Sequence, residues 1–305
     1  MRVFVTGANG FVGGGVTASL LAAGHEVVGL VRGAGTVPDG VRAVSGSITD
    51  AKPDKLAEAM EGCDAIVHLV GIISEDRAKH QTFPQVHVIG TGNVLAAAAI
   101  VGAGKSRFVY VSAIGASPAS KSEYSRTKAR AESLVQTSPL PWTIFRPSIV
   151  IGKNAAFLKQ MEQLIRKPPG SPFPVPFVPV PGNGQNRFQP VYLGDLSRCV
   201  AECLSRPATT NCLFEIGGAD EVTFDELILG VERRIGVLKP LLHTPMGAMF
   251  AAAAVLESVL PHPPVTTDQL QNLGLDNVCD NSAVKLAFEF APMGFLDALT
   301  RCYGR

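Results

Sequence analysis

The chain has 305 residues, which suffices for one large α/β domain or for such a domain with a smaller lobe. Apolar residues make up 46% and charged residues 17%, an ordinary globular balance with ample material for a core. Lys and Arg number 27 against 26 Asp and Glu, a net charge of +1, so no charge excess points to nucleic acid or an acidic surface as the partner.

In chain order, the first half alternates. Strands are expected over 2–6, 26–31, 41–44, 64–70, 106–112 and 142–146, with helical patterns at 11–23, 53–61, 80–102 and 121–137. "AIVHLV" and "RFVYVS" are near-continuous apolar runs, as strands buried on both faces require. The expectation is a doubly wound parallel sheet, a Rossmann core over residues 1–150. Beyond it the texture changes. Residues 167–184, "KPPGSPFPVPFVPVPGNG", are too rich in proline for a helix or a central strand and read as an extended loop. Helices are expected at 154–166, 193–205, 223–235, 246–260 and 266–273, with a strand at 212–216. Residues 151–305 thus read as a smaller, mostly helical lobe for substrate or partner, interleaved with the sheet.

The segment "MGAMFAAAAVLESVL" (246–260) is too short for a transmembrane span and is interrupted by Glu257. It reads as a packed helix, with a surface lying on a membrane or a partner as the alternative. The first strand begins at residue 2, so no signal peptide is expected. The six cysteines form no CxxC pair. No metal site is expected, and the bland reading is buried thiols in a reducing, cytoplasmic setting, with peripheral contact to the inner membrane as the possible exception.

The opening "MRVFVTGANGFVGGGV" runs a strand into Gly7, Gly10 and Gly13 and then into an apolar helix. Gly7 allows the tight turn, Gly10 lets backbone approach a pyrophosphate, and Gly13 lets helix lie near strand. The helix N-terminus presents unpaired N–H groups to an anion. Asn9, Phe11 and Val12 complete the turn, and the whole is a dinucleotide-binding signal in its confirming strand–turn–helix context. An acidic residue at the end of the second strand would favour NAD(H). Arg32 stands there, and a guanidinium suits a 2′-phosphate, so NADP(H) is favoured.

With Ser112 ending "RFVYVS" and "YSRTK" at 124–128, the chain resembles the short-chain dehydrogenase/reductase superfamily in its extended or atypical branch, the NAD-dependent epimerase/dehydratase type. "TGANGFVG", "HLVGIISE", "VSAIGA", "YSRTKARAE" and "WTIFRPSIVIG" fall in family order over nearly the whole length. "HLVGIISE", "VHVIGTGNVLAAA" and "TIFRPSIVIG" look most like the group of the NADPH-binding accessory subunit of respiratory complex I and its bacterial relatives. Some members of that group are linked to ubiquinone biosynthesis, and others bind cofactor and brace a complex.

The resemblance implies a catalytic set of Ser112, Tyr124 and Lys128. Tyr124 and Lys128, four apart, share one helical face. An ammonium beside a phenol lowers its pKa toward a useful acid–base value, and Ser112 would steady charge developing on a carbonyl oxygen. It also implies cofactor contacts from Leu69, Val70 and Gly71 after the fourth strand, from Tyr124 and Lys128, and from Pro147 and Ser148. Gln189, Pro190 and Asp195 resemble the stretch that closes the site. Ser47 stands where many members carry an acidic adenine contact, leaving Ser47 and the Ile48 backbone for that task. His87 stands where many carry Asn, as a proton relay or as a satisfied core histidine.

Two functions follow from the resemblance. One is an oxidoreductase that moves hydride between NADP(H) and a small carbonyl or quinone-like substrate through Ser112, Tyr124 and Lys128. The other is a non-catalytic NADP(H)-binding assembly or sensing protein with a respiratory or quinone-biosynthesis protein as partner. The intact Ser–Tyr–Lys set favours the enzyme.

Overall fold

The computed structural model describes residues 1–304 except 34–35, 50–51, 103–105, 168–174, 261–262, 264 and 290, together with the side chain of Arg77. The proline-rich expectation therefore falls partly outside the described residues. Of its remainder, Val178–Pro181 forms a strand paired in parallel with Leu241–Thr244.

The chain divides into two compact units. The first gathers Met1–Pro147, Leu193–Ile216 and Asn281–Phe290. Its centre is a seven-stranded sheet. Strands β1 (Arg2–Thr6), β2 (Glu26–Val31), β3 (Val41–Ser45), β4 (Ala65–His68), β5 (Arg107–Val111) and β6 (Trp142–Pro147) are joined by the strand Cys212–Ile216. The order is Cys212–Ile216, β6, β5, β4, β1, β2, β3, with every pairing parallel. This is the Rossmann arrangement expected from the alternating pattern.

The central strands are dry because their residues are apolar on both faces. Val3, Phe4 and Val5 of β1, Ile66 and Val67 of β4, and Phe108 and Val109 of β5 are all fully buried. The edge strand β3, "VRAVS", is mostly exposed. Helices α1 (Phe11–Ala22), α2 (Pro53–Met60), α3 (Gly90–Gly102) and α4 (Glu123–Thr137) connect the strands. The expected helix over 80–102 is real but begins as a π-helix, Pro84–Ile89, which runs directly into α3. By length and composition, Pro84–Gly102 could cross a membrane. It instead packs on α2 and α4, with Val94, Ala97 and Ala98 fully buried.

The second unit gathers Ser148–Tyr192, Gly217–Asp280 and Ala291–Arg305. It contains helices α5 (Ala156–Arg166), α7 (Phe224–Ile235) and α8 (Met246–Val259), while α6 (Leu193–Glu202) belongs to the first unit. Short paired strands such as Val150–Ile151 with Val191–Tyr192 were not legible in the sequence, nor were the helices Ser282–Phe288 and Phe295–Tyr303. Two-residue strands carry too little periodicity to register. Helix α8 departs from the packed-helix expectation. Of its fourteen residues only Ala253 is buried, while Val255 and Val259 are 62% and 72% exposed.

Candidate active site: a glycine turn and a buried lysine

The turn after β1 is built as its glycines require. Gly7 has φ +73°, a left-handed conformation that costs a Cβ-bearing residue energy, and its carbonyl accepts from Gly10 N–H at 2.9 Å. A Cβ on Gly13 would lie 2.0 Å from that same carbonyl oxygen, so only glycine lets α1 approach so closely. Gly10 caps α1 in an extended conformation with no side-chain hydrogen bond, and Asn9 and Phe11 flank it with Val12 following. The first N–H groups of the helix are thus unclaimed by any side-chain cap and available to an anion. This cradle fits the pyrophosphate of a dinucleotide.

The next strand ends converge on the same edge of the sheet. β4 stops at His68, two residues short of expectation, and Leu69, Val70 and Gly71 continue as half-exposed or exposed chain. A Cβ on Gly7 would touch Val70, so the two segments lie side by side. Leu69 N–H donates to the Thr6 hydroxyl at 3.2 Å. That hydroxyl lies 2.6 Å from His68 Nδ1, and His68 Nε2 lies 3.0 Å from the Thr91 hydroxyl. The ring is fully buried, and burial with the nearby Lys128 charge pushes it down to about 3, so His68 is neutral.

Ser112 follows β5 and extends its ladder, donating its backbone N–H to the Phe145 carbonyl at 2.7 Å. Its hydroxyl is buried and has no hydrogen-bond partner among the described residues. Helix α4 begins at an N-cap, Ser122, whose hydroxyl accepts from Ser125 N–H. Tyr124 lies in its first turn, its ring meeting those of Phe83 and His87 edge-on at 5.8 and 5.5 Å. One turn further, Lys128 is 3% exposed. Its ammonium donates to the Val111 carbonyl at 2.8 Å and stands 4.5 Å from the centre of the Tyr110 ring. Burial lowers its pKa to about 7, against the opposing pull of Glu132. Glu132, one turn beyond, is held by Arg146 of β6 through contacts of 2.9 and 2.6 Å.

His87 has a partner on each ring nitrogen. Ile72 N–H donates to its Nε2 at 3.1 Å, so the ring proton sits on Nδ1 and donates to the Thr127 hydroxyl at 2.9 Å. Burial and Lys128 push its pKa to about 3. With both nitrogens engaged and the ring neutral, His87 packs as a satisfied core histidine beside the Tyr124 ring.

At the ends of β2 and β3, Arg32 is exposed after β2. Ser47 Oγ accepts from Thr49 N–H at 3.2 Å. The Ile48 side chain is in the core, and its carbonyl accepts from Asn93 Nδ2 at 2.8 Å. Pro147 ends β6, where its carbonyl accepts from Ile114 N–H. Ser148 belongs to the second unit, its Oγ 2.6 Å from Asn277 Oδ1. There too, Gln189 donates to the Gly218 carbonyl and accepts from Cys279 N–H, while Asp195 lies in the first turn of α6 in the sheet unit. No group of three or more metal-ligating side chains occurs among the described residues.

A parallel sheet in this order, with a glycine turn between its first strand and first helix, is the Rossmann arrangement of dinucleotide-binding proteins. The chain belongs to the NAD(P)H-binding family, whose model matches residues 7–163. It is similar, at 27% identity over 92% of its length, to NADH dehydrogenase [ubiquinone] 1 alpha subcomplex subunit 9, mitochondrial, of Arabidopsis thaliana. Over 54% of its length it is 32% identical to a ketoreductase of Stigmatella aurantiaca that acts on a 3-oxo-4-farnesyl-dihydroquinoline oxide. The chain spans 71% of the first and 55% of the second, and 23% of an uncharacterised protein of Mycobacterium tuberculosis that it also matches. Among solved structures, UDP-glucose 4-epimerase of Thermotoga maritima shares the fold at a TM-score of 0.74 and 18% identity, covering 100% of this chain and 98% of that one.

Proposed function

We propose that the protein is an NADP(H)-dependent reductase of a small carbonyl or quinone-like substrate, with Ser112, Tyr124 and Lys128 as its catalytic residues. The observation that carries this reading is the Ser112 hydroxyl. It is buried with no hydrogen-bond partner among the described residues, a costly arrangement that calls for an explanation, which a bound substrate oxygen would supply. It sits one residue beyond the carbonyl that holds Lys128.

When bound, the nicotinamide would supply the hydride. Gly7, Gly10 and Gly13 with the N-terminus of α1 would hold the pyrophosphate, Leu69 to Gly71 would pass beside the ribose, and Arg32 would meet the 2′-phosphate. Ser112 Oγ would donate to the substrate oxygen and steady its developing charge. Tyr124 would give that oxygen its proton from the phenol. The Lys128 ammonium would favour the phenolate left behind and hydrogen-bond the ribose. The ketoreductase among the relatives supports the reaction class, and Arg32 supports the choice of NADP(H).

A second reading has its own support. Helix α8 is largely apolar yet exposed, and two curated relatives are named as subunits of NADH dehydrogenase [ubiquinone] and NADH-ubiquinone oxidoreductase. On this reading NADP(H) is a structural or sensing ligand and the lobe meets a respiratory or quinone-handling protein at the inner membrane. One experiment separates the two. NADPH deuterated at the transferable position is incubated with the protein and an extract of its source, and the label is followed by mass spectrometry. The reductase reading expects deuterium to leave the cofactor in the wild type and to stay in Tyr124→Phe, the labelled product naming the substrate. Retention in both, with NADPH bound, sinks the reductase and favours the second reading.

A further inference from the structure

Resting on the reading that the sheet unit binds NADP(H), we propose that Lys55 is the second cation, with Arg32, of the subsite that distinguishes the 2′-phosphate of NADP(H) from the ribose diol of NAD(H). A cavity of about 450 Å³ opens where β2 and β3 end against α2. Leu30, Arg32 and Gly33 line it from β2, Ser45 and Ser47 from the end of β3, and Lys55 from the first turn of α2. β3 is the edge of the sheet, so no further strand covers that side.

Three features make this an anion subsite. Among the described residues, no carboxylate lines the cavity. Neither Arg32 nor Lys55 forms an ion pair among the described residues, whereas Arg2, Arg126, Arg146, Arg187, Arg198 and Arg206 each hold a carboxylate. The neighbouring acid, Glu58, faces a second cavity of about 470 Å³ that shares Lys55 and adds Arg42, so positive charge predominates there as well. The loop is also set in advance. Ser47 Oγ accepts from Thr49 N–H, and Asn93 fixes the Ile48 carbonyl, so the end of β3 does not have to be ordered by the ligand. A phosphate monoester carries close to two negative charges at neutral pH. One guanidinium fork and one ammonium neutralise it, while a diol gives neither cation an ionic partner.

Binding is measured by titration calorimetry on the full chain with NADPH, NADH and adenosine 2′,5′-bisphosphate. Wild type is expected to prefer NADPH. Lys55→Met is expected to weaken NADPH and the bisphosphate by about 5–10-fold and leave NADH within about twofold, with Lys55→Arg restoring most of the loss. Lys55 is exposed, so its replacement should leave the fold intact, and unchanged NADH binding checks this within the same experiment. If wild type prefers NADPH and Arg32→Met abolishes that preference while Lys55→Met does not touch it, the assignment of Lys55 falls and the cofactor reading stands. If Lys55→Met loses NADPH and NADH alike, Lys55 is no discriminator. If wild type binds NADPH and NADH equally, the NADP(H) preference fails and the Lys55 proposal with it.

Discussion

The Ser112 hydroxyl is buried at the end of β5 with no hydrogen-bond partner among the described residues. Deleting it should therefore separate stability from chemistry. Removing an unsatisfied hydroxyl relieves a desolvation penalty of about 1–3 kcal/mol, so ligand-free Ser112→Ala is expected to be at least as stable as wild type in urea unfolding. Reductase turnover, once a substrate is in hand, should fall by about 10²-fold. A variant that loses stability along with activity would make Ser112 a packing residue. At this scale the sequence was informative where the signal was local. Tyr124 and Lys128 are four apart on one helix, and Ser112 ends an apolar strand. The burial of Lys128, its Val111 acceptor and the Tyr110 ring beneath it come from β5, which spacing along α4 cannot reveal. Glu132 continues the four-residue spacing and was open to discovery, but its partner Arg146 is on another element. Lys55 lies more than twenty residues after Arg32 and meets the same cavity only once β3 and α2 are folded.

The stretch Pro84–Gly102 shows how an element can pass one test and belong elsewhere. It is apolar enough for a bilayer, yet two buried histidines tie it into the sheet unit, His68 to Thr91 within it and His87 from it to Thr127 of α4. Both have a folded pKa near 3 against 6.5 for an unfolded histidine. Between these values the unfolded chain binds protons that the folded one refuses. Their contribution to stability is therefore complete above about pH 6.5 and is lost as pH falls toward 3. His87→Asn keeps a donor and an acceptor but cannot ionise. It should lose less stability than wild type between pH 7.5 and 4.5, by on the order of 1–3 kcal/mol. Urea midpoints at the two pH values decide, and parallel losses would remove His87 as a contributor. The sequence left His87 open because an isolated histidine on an apolar stretch looks the same whether it relays protons or only packs.

At the level of the whole molecule, the sheet unit draws on three separate stretches of chain. One join is visible at Gly15 of α1. A Cβ there would lie 2.6 Å from Ser197 Oγ and within 2.9 Å of Leu193, both of α6. Gly15→Val should destabilise the protein by about 1–3 kcal/mol through overpacking. Gly14→Ala next door meets nothing within 4 Å and should hold stability or raise it by about 1 kcal/mol. Thermal unfolding of the pair tests whether the returning segment is packed tightly against α1, and equal midpoints would show that α6 yields. The parallel sheet was legible because each βα unit signals itself. The destination of the returning segments was not, since it depends on strand order.

That strand order has a consequence for synthesis. β6 receives its outer neighbour, Cys212–Ile216, only after residues 148–211 have been translated. At ~5–20 residues per second the ribosome holds β6 as an unpaired strand edge for several seconds, longer than most local folding steps. Its residues "WTIFRP" are largely apolar, with Arg146 as their one charge and Pro147 at their end. A charge and a proline are the kinds of residue that disfavour edge-to-edge association at such an edge.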